Sequence, residues 1–238
     1  LVLMPYENQP FQSLIINNLK KKYNLLKIIG YVHSFPSFPT HFLKSENCPD
    51  KLIVNSDDQK KVFQKYLKWN ENQLVLLPSM RFSENDTNLK KNIIYLPIDF
   101  NSSELILSSF KLLTETHKNI NYADFKIRNH PAAEKSKKHK DLIIKLSDYM
   151  KKKSVNTASS KKVAIFIGST GAIIEALKHN FEVIHIYENS IFDLYHNFMW
   201  PSINCEFVND KVVKYKLVNY KSIIFNNNQD LLENYLSV

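Results

Sequence analysis

The stretch KKVAIFIGSTGAIIEALKHNFEVIHIY, residues 161–187, runs an apolar segment into Gly-Ser-Thr-Gly, continues with an apolar-periodic segment and ends in a second apolar run. Two short apolar runs around an amphipathic segment of helical period are the pattern of a strand, a crossover helix and a parallel strand. Of three glycines in the chain, Gly168 and Gly171 bracket Ser169 and Thr170 where strand hands over to helix. The spacing predicts a strand over 163–167 and a helix with Ser169 or Thr170 as N-cap. The first backbone N–H groups of that helix are then free and, with the helix dipole, suit a phosphate. Gly168 and Gly171 take away side chains that would block close approach. Glu175 lies about one turn further on, where a carboxylate can accept hydrogen bonds from two vicinal hydroxyls. The same residues also fit a plain βα turn with a capped helix and a solvent-facing glutamate.

Outward from this unit, apolar runs and amphipathic segments alternate along the whole chain, which predicts an α/β fold. The first half gives strands at LVLMP, LLKIIGYVH, KLIVNS and QLVLLPS, with a helix near residues 10–23 whose Phe11, Leu14, Ile15 and Leu19 share one face, and another near 57–68. Residues 81–91, RFSENDTNLKK, are polar and without apolar period, so they read as a linker. A second series follows: NIIYLP, a helix opened by Asn101 with Glu104 as its capping pair, a strand in YADFKIRNHP, a helix near 138–151, the opening unit, short strands near 205–209 and 221–225, and a helix near 229–236. The expectation is two Rossmann-like domains, 1–80 and 92–238. The first is expected to be incomplete, since the sequence begins inside an apolar strand and so small a sheet would leave an edge and a face uncovered.

With 238 residues, 44% of them hydrophobic, the chain can bury sizeable cores. No apolar run is long enough to cross a membrane, and LVLMPYENQP has neither a basic flank nor a small-residue cleavage site, so a cytoplasmic location is expected. Cys48 and Cys205 stand alone and read as reduced thiols. The net charge of +9 is 32 basic against 23 acidic residues, and of the basic ones only Arg81 and Arg128 are arginine. Scattered lysine pairs and triplets read as a solvated surface rather than a nucleic-acid face, and leave a weak attraction to the inner face of an anionic membrane open.

Further candidate residues lie at predicted strand ends. In FKIRNHP, residues 125–131, Pro131 stops the strand and aims His130, with Arg128 before it, at the crevice where open α/β sheets bind ligands. Arg81 follows a strand at the domain junction and can pair bidentately with a diphosphate or carboxylate. Glu7, in PYENQP, and His33, in IIGYVHSFPSFP, both follow strands, and either can serve as general base on a hydroxyl within hydrogen-bond reach. No Asp-x-Asp, GxxxxGK[ST], GxGxxG or GxSxG is present, and His33, His41 and His130 are too widely spaced for a metal site.

The order Gly168, then Glu175-Ala176-Leu177, then Asn180 resembles the donor-site motif of GT-B glycosyltransferases, in which a Gly-rich turn leads to Glu-Ala and then Gly-x-Pro. Asn180 and Glu182 depart from its last two positions. His130-Pro131 is similar to the His-Pro motif of bacterial sialyltransferase-like and capsule-type transferases, and PYENQP and IIGYVHSFP resemble the first half of such surface-carbohydrate proteins. The resemblance implies a metal-independent, GT-B-like glycosyltransferase without a cofactor, acting on a nucleotide-sugar donor and a glycan or lipid-linked glycan acceptor. It implies donor contacts from Arg81, Arg128, His130, Gly168, Ser169, Thr170, Gly171 and Glu175, and catalysis by Glu7 and His33. A nucleotide-sugar epimerase of the same architecture and a non-catalytic binding protein retaining the fold are the alternatives.

Overall fold

The computed structural model of the protein describes residues 1–83, 92–153, 162–189, 191–219, 225–226 and 230–236, and the fold is α/β. β1 (Val2–Pro5), β2 (Ile28–Tyr31), β3 (Lys51–Val54) and β4 (Leu74–Leu76) pair in parallel in chain order. α1 (Pro10–Lys22) joins β1 to β2, and α2 (Asp57–Tyr66) joins β3 to β4. Because successive strand residues point to opposite faces, Ile28, Leu52, Val54 and Leu74 meet Ile16 of α1 and Val62 and Phe63 of α2 on one side. Leu3, Ile29, Tyr31, Ile53 and Val75 cluster on the other with Tyr235 and Leu236 of a helix at Asp230–Leu236 (α6). The face expected to lie bare therefore has an apolar cover supplied from the far end of the sequence.

The second sheet is mixed. β6 (Ile93–Tyr95) has β7 (Lys126–Arg128) parallel on one side and β8 (Val163–Ile167) parallel on the other; β9 (Glu182–Ile186) continues in parallel, and β11 (Val212–Leu217) and β10 (Ile203–Phe207) close the sheet antiparallel. The chain passes from β6 to β7 on one side and then to β8 on the other, so the strand order reverses at β6, and the crevice outside its carboxyl end is the kind of switch point at which such sheets take ligands. α3 (Ser103–Thr116) and α4 (Lys137–Lys151) pack on the face of Ile94, Val163, Ile165 and Ile167. The seven-residue α5 (Ala172–Lys178) packs on the face of Ala164, Phe166 and Val183.

That second face also takes the first half of the chain. Phe35, Phe42 and Phe63 belong to the same buried cluster as Ile173, Ile174, Tyr195 and Trp200. Burying each such side chain contributes roughly 1.5–3 kcal/mol, against about 1 kcal/mol net for a hydrogen bond. Apolar contact therefore dominates the adhesion of the halves, and polar links set its register. One of these is buried Asp58 of α2, which accepts hydrogen bonds from Ser202 N at 2.9 Å and Ser202 Oγ at 3.0 Å.

Several local expectations are corrected. Residues 81–83, the start of the expected linker, are the end of strand β5 (Ser79–Ser83), which pairs with β12 (Phe225–Asn226); residues 84–91 lie outside the described residues. Ser102, not Asn101, caps α3, its Oγ accepting from Leu105 N at 3.2 Å. The Glu188 carboxylate takes the amides of Asn101 and Ser102 at 2.9 and 3.1 Å, so the helix end is satisfied from a distant loop. Only Lys126–Arg128 of YADFKIRNHP is strand, since Tyr122–Asp124 forms a 3₁₀ turn. β11 goes unread in the sequence although it is the longest strand of the described residues.

Candidate functional site

At the carboxyl edge of the first sheet, β1 ends into Tyr6 and Glu7. Tyr6 is buried, and its hydroxyl donates to Asn8 Oδ1 at 2.8 Å. Asn8 adopts φ 54°, a left-handed conformation that Asn tolerates better than most residues, and anchors its Nδ2 on the His41 carbonyl at 2.6 Å. Glu7, held between them, lies 3.4 Å from His33 Nε2 just beyond β2. The two predicted catalytic residues are thus brought together, at ion-pair distance and longer than a good hydrogen bond. His33 Nδ1 is buried and has no hydrogen-bond partner among the described residues. His41 joins the same neighbourhood: burial lowers its pKa, and the Glu7 carboxylate works against that shift.

Gly30, three residues before His33, is structural. A Cβ there would lie 2.7 Å from Pro49 Cγ and 2.9 Å from Tyr6 Cβ, so the bare backbone is what lets Tyr6 and Pro49 close over β2.

The carboxyl edge of the second sheet gathers a second set. Tyr95, Arg128 and Phe166 stand side by side in register on β6, β7 and β8. The Tyr95 ring stacks on Phe166, with centroids 4.6 Å apart and planes 6° from parallel, and Arg128 Cζ lies 5.7 Å from the Tyr95 centroid. Burial raises the Tyr95 hydroxyl pKa; Arg128 opposes that shift and the Glu175 carboxylate adds to it, so both charges act on one hydroxyl. His130 is half-buried, and its Nδ1 accepts from Ala132 N at 3.2 Å. An accepting Nδ1 fixes the neutral Nε2–H tautomer, leaving Nε2–H as the donor His130 can offer.

Gly168 has φ +68° and sits against Pro97, where a Cβ would approach to 3.1 Å, so both backbone and space demand glycine. The helix N-cap is Gly171, in right-handed conformation, rather than Ser169 or Thr170. Ser169 Oγ instead meets Ser37 Oγ at 2.9 Å, and Thr170 Oγ1 accepts from Ala172 N at 3.3 Å. Among the described residues the amides of 169–171 find no acceptor. Asn180, where the helix ends, has φ 61°, a left-handed conformation that Asn tolerates.

The two edges meet at the loop that follows His33. Ser37 bonds the turn and the Phe192 carbonyl; Tyr195 OH donates to the carbonyls of Phe35 at 2.6 Å and Thr170 at 3.1 Å; Trp200 Nε1 donates to Ser37 O at 3.0 Å. No known protein family, curated protein or solved structure matches the chain. The site therefore rests on its own geometry. Arg81 belongs to β5, and its side chain lies outside the described residues. Ser37 and Tyr95 were not singled out in the sequence, and His41 was weighed only as a metal ligand; the lone aromatic ending the aliphatic run of β6 was the available sign for Tyr95.

Cavities of ≈ 730 and ≈ 740 Å³ open at the opposite, amino-terminal edges of the sheets, the first beside Lys162, Glu182 and Lys214 and the second beside Lys27, Lys51 and Leu236. Neither is lined by a predicted site residue. Among the described residues no group of three His, Cys, Asp or Glu side chains could hold a metal ion.

Proposed function

We propose that the protein is a GT-B-like glycosyltransferase of surface-carbohydrate synthesis, with the donor on the carboxyl edge of the second sheet and the acceptor on that of the first. The observation that supports this best is the bonding of the loop after His33 to the 168–171 turn, through Ser37 and Ser169 at 2.9 Å and Tyr195 on both backbones. His33 lies on the chain segment that packs against the phosphate-suited turn, with the Glu7 carboxylate 3.4 Å from its ring.

In this reading the acceptor hydroxyl attacks the anomeric carbon. Its proton passes to His33, and Glu7 stabilises the imidazolium that results. The anomeric carbon–oxygen bond breaks, and the nucleotide leaves with the bonding electrons. Its growing negative charge is met by the amides of 169–171, Arg128 and the Nε2–H of His130. Glu175 holds the ribose hydroxyls.

A thermal-shift screen of nucleoside mono- and diphosphates tests the donor half. A nucleotide at about 100 times its dissociation constant should stabilise the protein by about 2.7 kcal/mol. Glu175→Gln should weaken that nucleotide at least roughly tenfold, from the loss of charged hydrogen bonds of about 1.5–3 kcal/mol each. Unchanged affinity in the variant, or no nucleotide that stabilises the wild type, refutes the donor site. Conversion of a single nucleotide sugar without any acceptor would replace the transferase reading with the epimerase.

A further inference from the structure

Three of the four apolar residues read on one face of α1 point outward, while the fourth, Leu19, packs against the core. Phe11 is 59% exposed, Leu14 63% and Ile15 44%, and the turn that follows the helix adds Tyr23 at 50% and Leu25 at 90%. The helix is not free to roll these residues inward. Gln12, buried on the opposite side, donates from Nε2 to the Pro5 carbonyl at 2.8 Å and accepts at Oε1 from the amides of Glu7 and Gln9 at 2.9 and 3.0 Å, while Ile16 fills the core beneath. An amphipathic pattern that reads as core-facing is pinned with its larger apolar residues in solvent.

Along the chain that builds this face the charge has one sign. From Asn8 to Ser45 the sequence has no Asp or Glu and five lysines. Lys20 is neutralised on Asp50 at 2.7 Å, and Lys44 bonds Gln73. Lys21, Lys22 and Lys27 are exposed and form no ion pair among the described residues. An apolar surface followed along the chain by lysines free of ion pairs among the described residues complements one that is apolar within and anionic at its rim. The face is a convex helix, and its long lysine side chains can reach phosphates in any arrangement, which suits a lipid surface better than the fixed pattern of a protein partner. Thirteen residues span only about 20 Å, too short to cross a bilayer, so the helix would lie in the interface plane.

We propose that α1 and the turn after it dock the protein on anionic phospholipid bilayers, with Phe11, Leu14, Ile15 and Leu25 at the acyl boundary and Lys21, Lys22 and Lys27 on headgroup phosphates. The inference stands apart from the transferase reading, because it uses none of the donor or catalytic residues. Glu7 lies three residues before the helix, so docking holds the first sheet's carboxyl edge near the headgroups.

The test is cosedimentation of the full chain with vesicles of phosphatidylcholine alone and of phosphatidylcholine with phosphatidylglycerol, at low and physiological salt. Binding is expected only with phosphatidylglycerol, and weaker at high salt. Lys21→Gln and Lys22→Gln should each weaken it about fivefold. Leu14→Ser with Ile15→Ser should abolish it while leaving the circular dichroism and thermal midpoint unchanged, and Ile144→Ser, on an exposed site of α4, should change nothing. Failure to bind either vesicle overturns the proposal, as does binding indifferent to the lysine and α1 variants. A dimer in sedimentation that Leu14→Ser disperses, without vesicle binding, would make the face a contact between copies, and binding to an acidic protein in place of vesicles would equally sink the lipid assignment.

Discussion

Replacing His185 with glutamine should flatten the protein's loss of stability in mild acid. His185 is fully buried on β9, and burial pushes its pKa from 6.5 down to about 3. A chain of hydrogen bonds holds it neutral: Tyr195 N donates to Tyr215 OH at 3.1 Å, which leaves the hydroxyl proton to donate to His185 Nδ1 at 3.1 Å. Protonating Nδ1 would set donor against donor inside an apolar core. The unfolded chain binds a proton near pH 6.5 and the folded chain does not until about pH 3, so stability is complete above 6.5 and falls as pH drops below it. At 1.36 kcal/mol per pH unit, the loss from pH 7 to pH 5 is about 2 kcal/mol, and about 3 kcal/mol by pH 4. Urea denaturation followed by the fluorescence of Trp69 and Trp200 at each pH measures it. His185→Gln should be less stable at pH 7 but lose about 2 kcal/mol less on going to pH 5, and the comparison cancels every other titrating group. Parallel losses in wild type and variant would refute the argument.

Two further outcomes are expected. Asp58→Ala leaves Ser202 N–H and Oγ–H buried without an acceptor and should destabilise by about 1–3 kcal/mol in thermal denaturation, with Asp58→Asn costing less; burial raises the Asp58 pKa, so the wild type should lose stability relative to Asp58→Asn as pH rises through that pKa, and a constant difference would refute this. Gly30→Ala should cost about 1–3 kcal/mol from crowding and Gly168→Ala about 1–2 kcal/mol from its left-handed backbone, whereas Gly171→Ala, with a Cβ 3.7 Å from Phe35 N, should be nearly neutral; a Gly171 variant as unstable as the others would contradict the geometry.

What local periodicity controls was legible in the sequence. The βαβ unit of β8, α5 and β9 and the strand ends that present Glu7, His33, Arg128 and His130 follow from spacing within a few residues. Periodicity shows that α1 has an apolar stripe, but three hydrogen bonds to Gln12 decide which side faces the sheet. Capping follows the same rule. Glu188 reaches α3 from 86 residues away, and Ser37 takes the Ser169 hydroxyl across 132, so neither partner is visible in a local window. Tyr95, Arg128 and Glu175 converge only because β7 and β8 flank β6 rather than following one another across the sheet. Sequence sets the periods and the chemistry that strand ends can present; strand order and long-range hydrogen bonds, which no local pattern encodes, decide which of those residues meet.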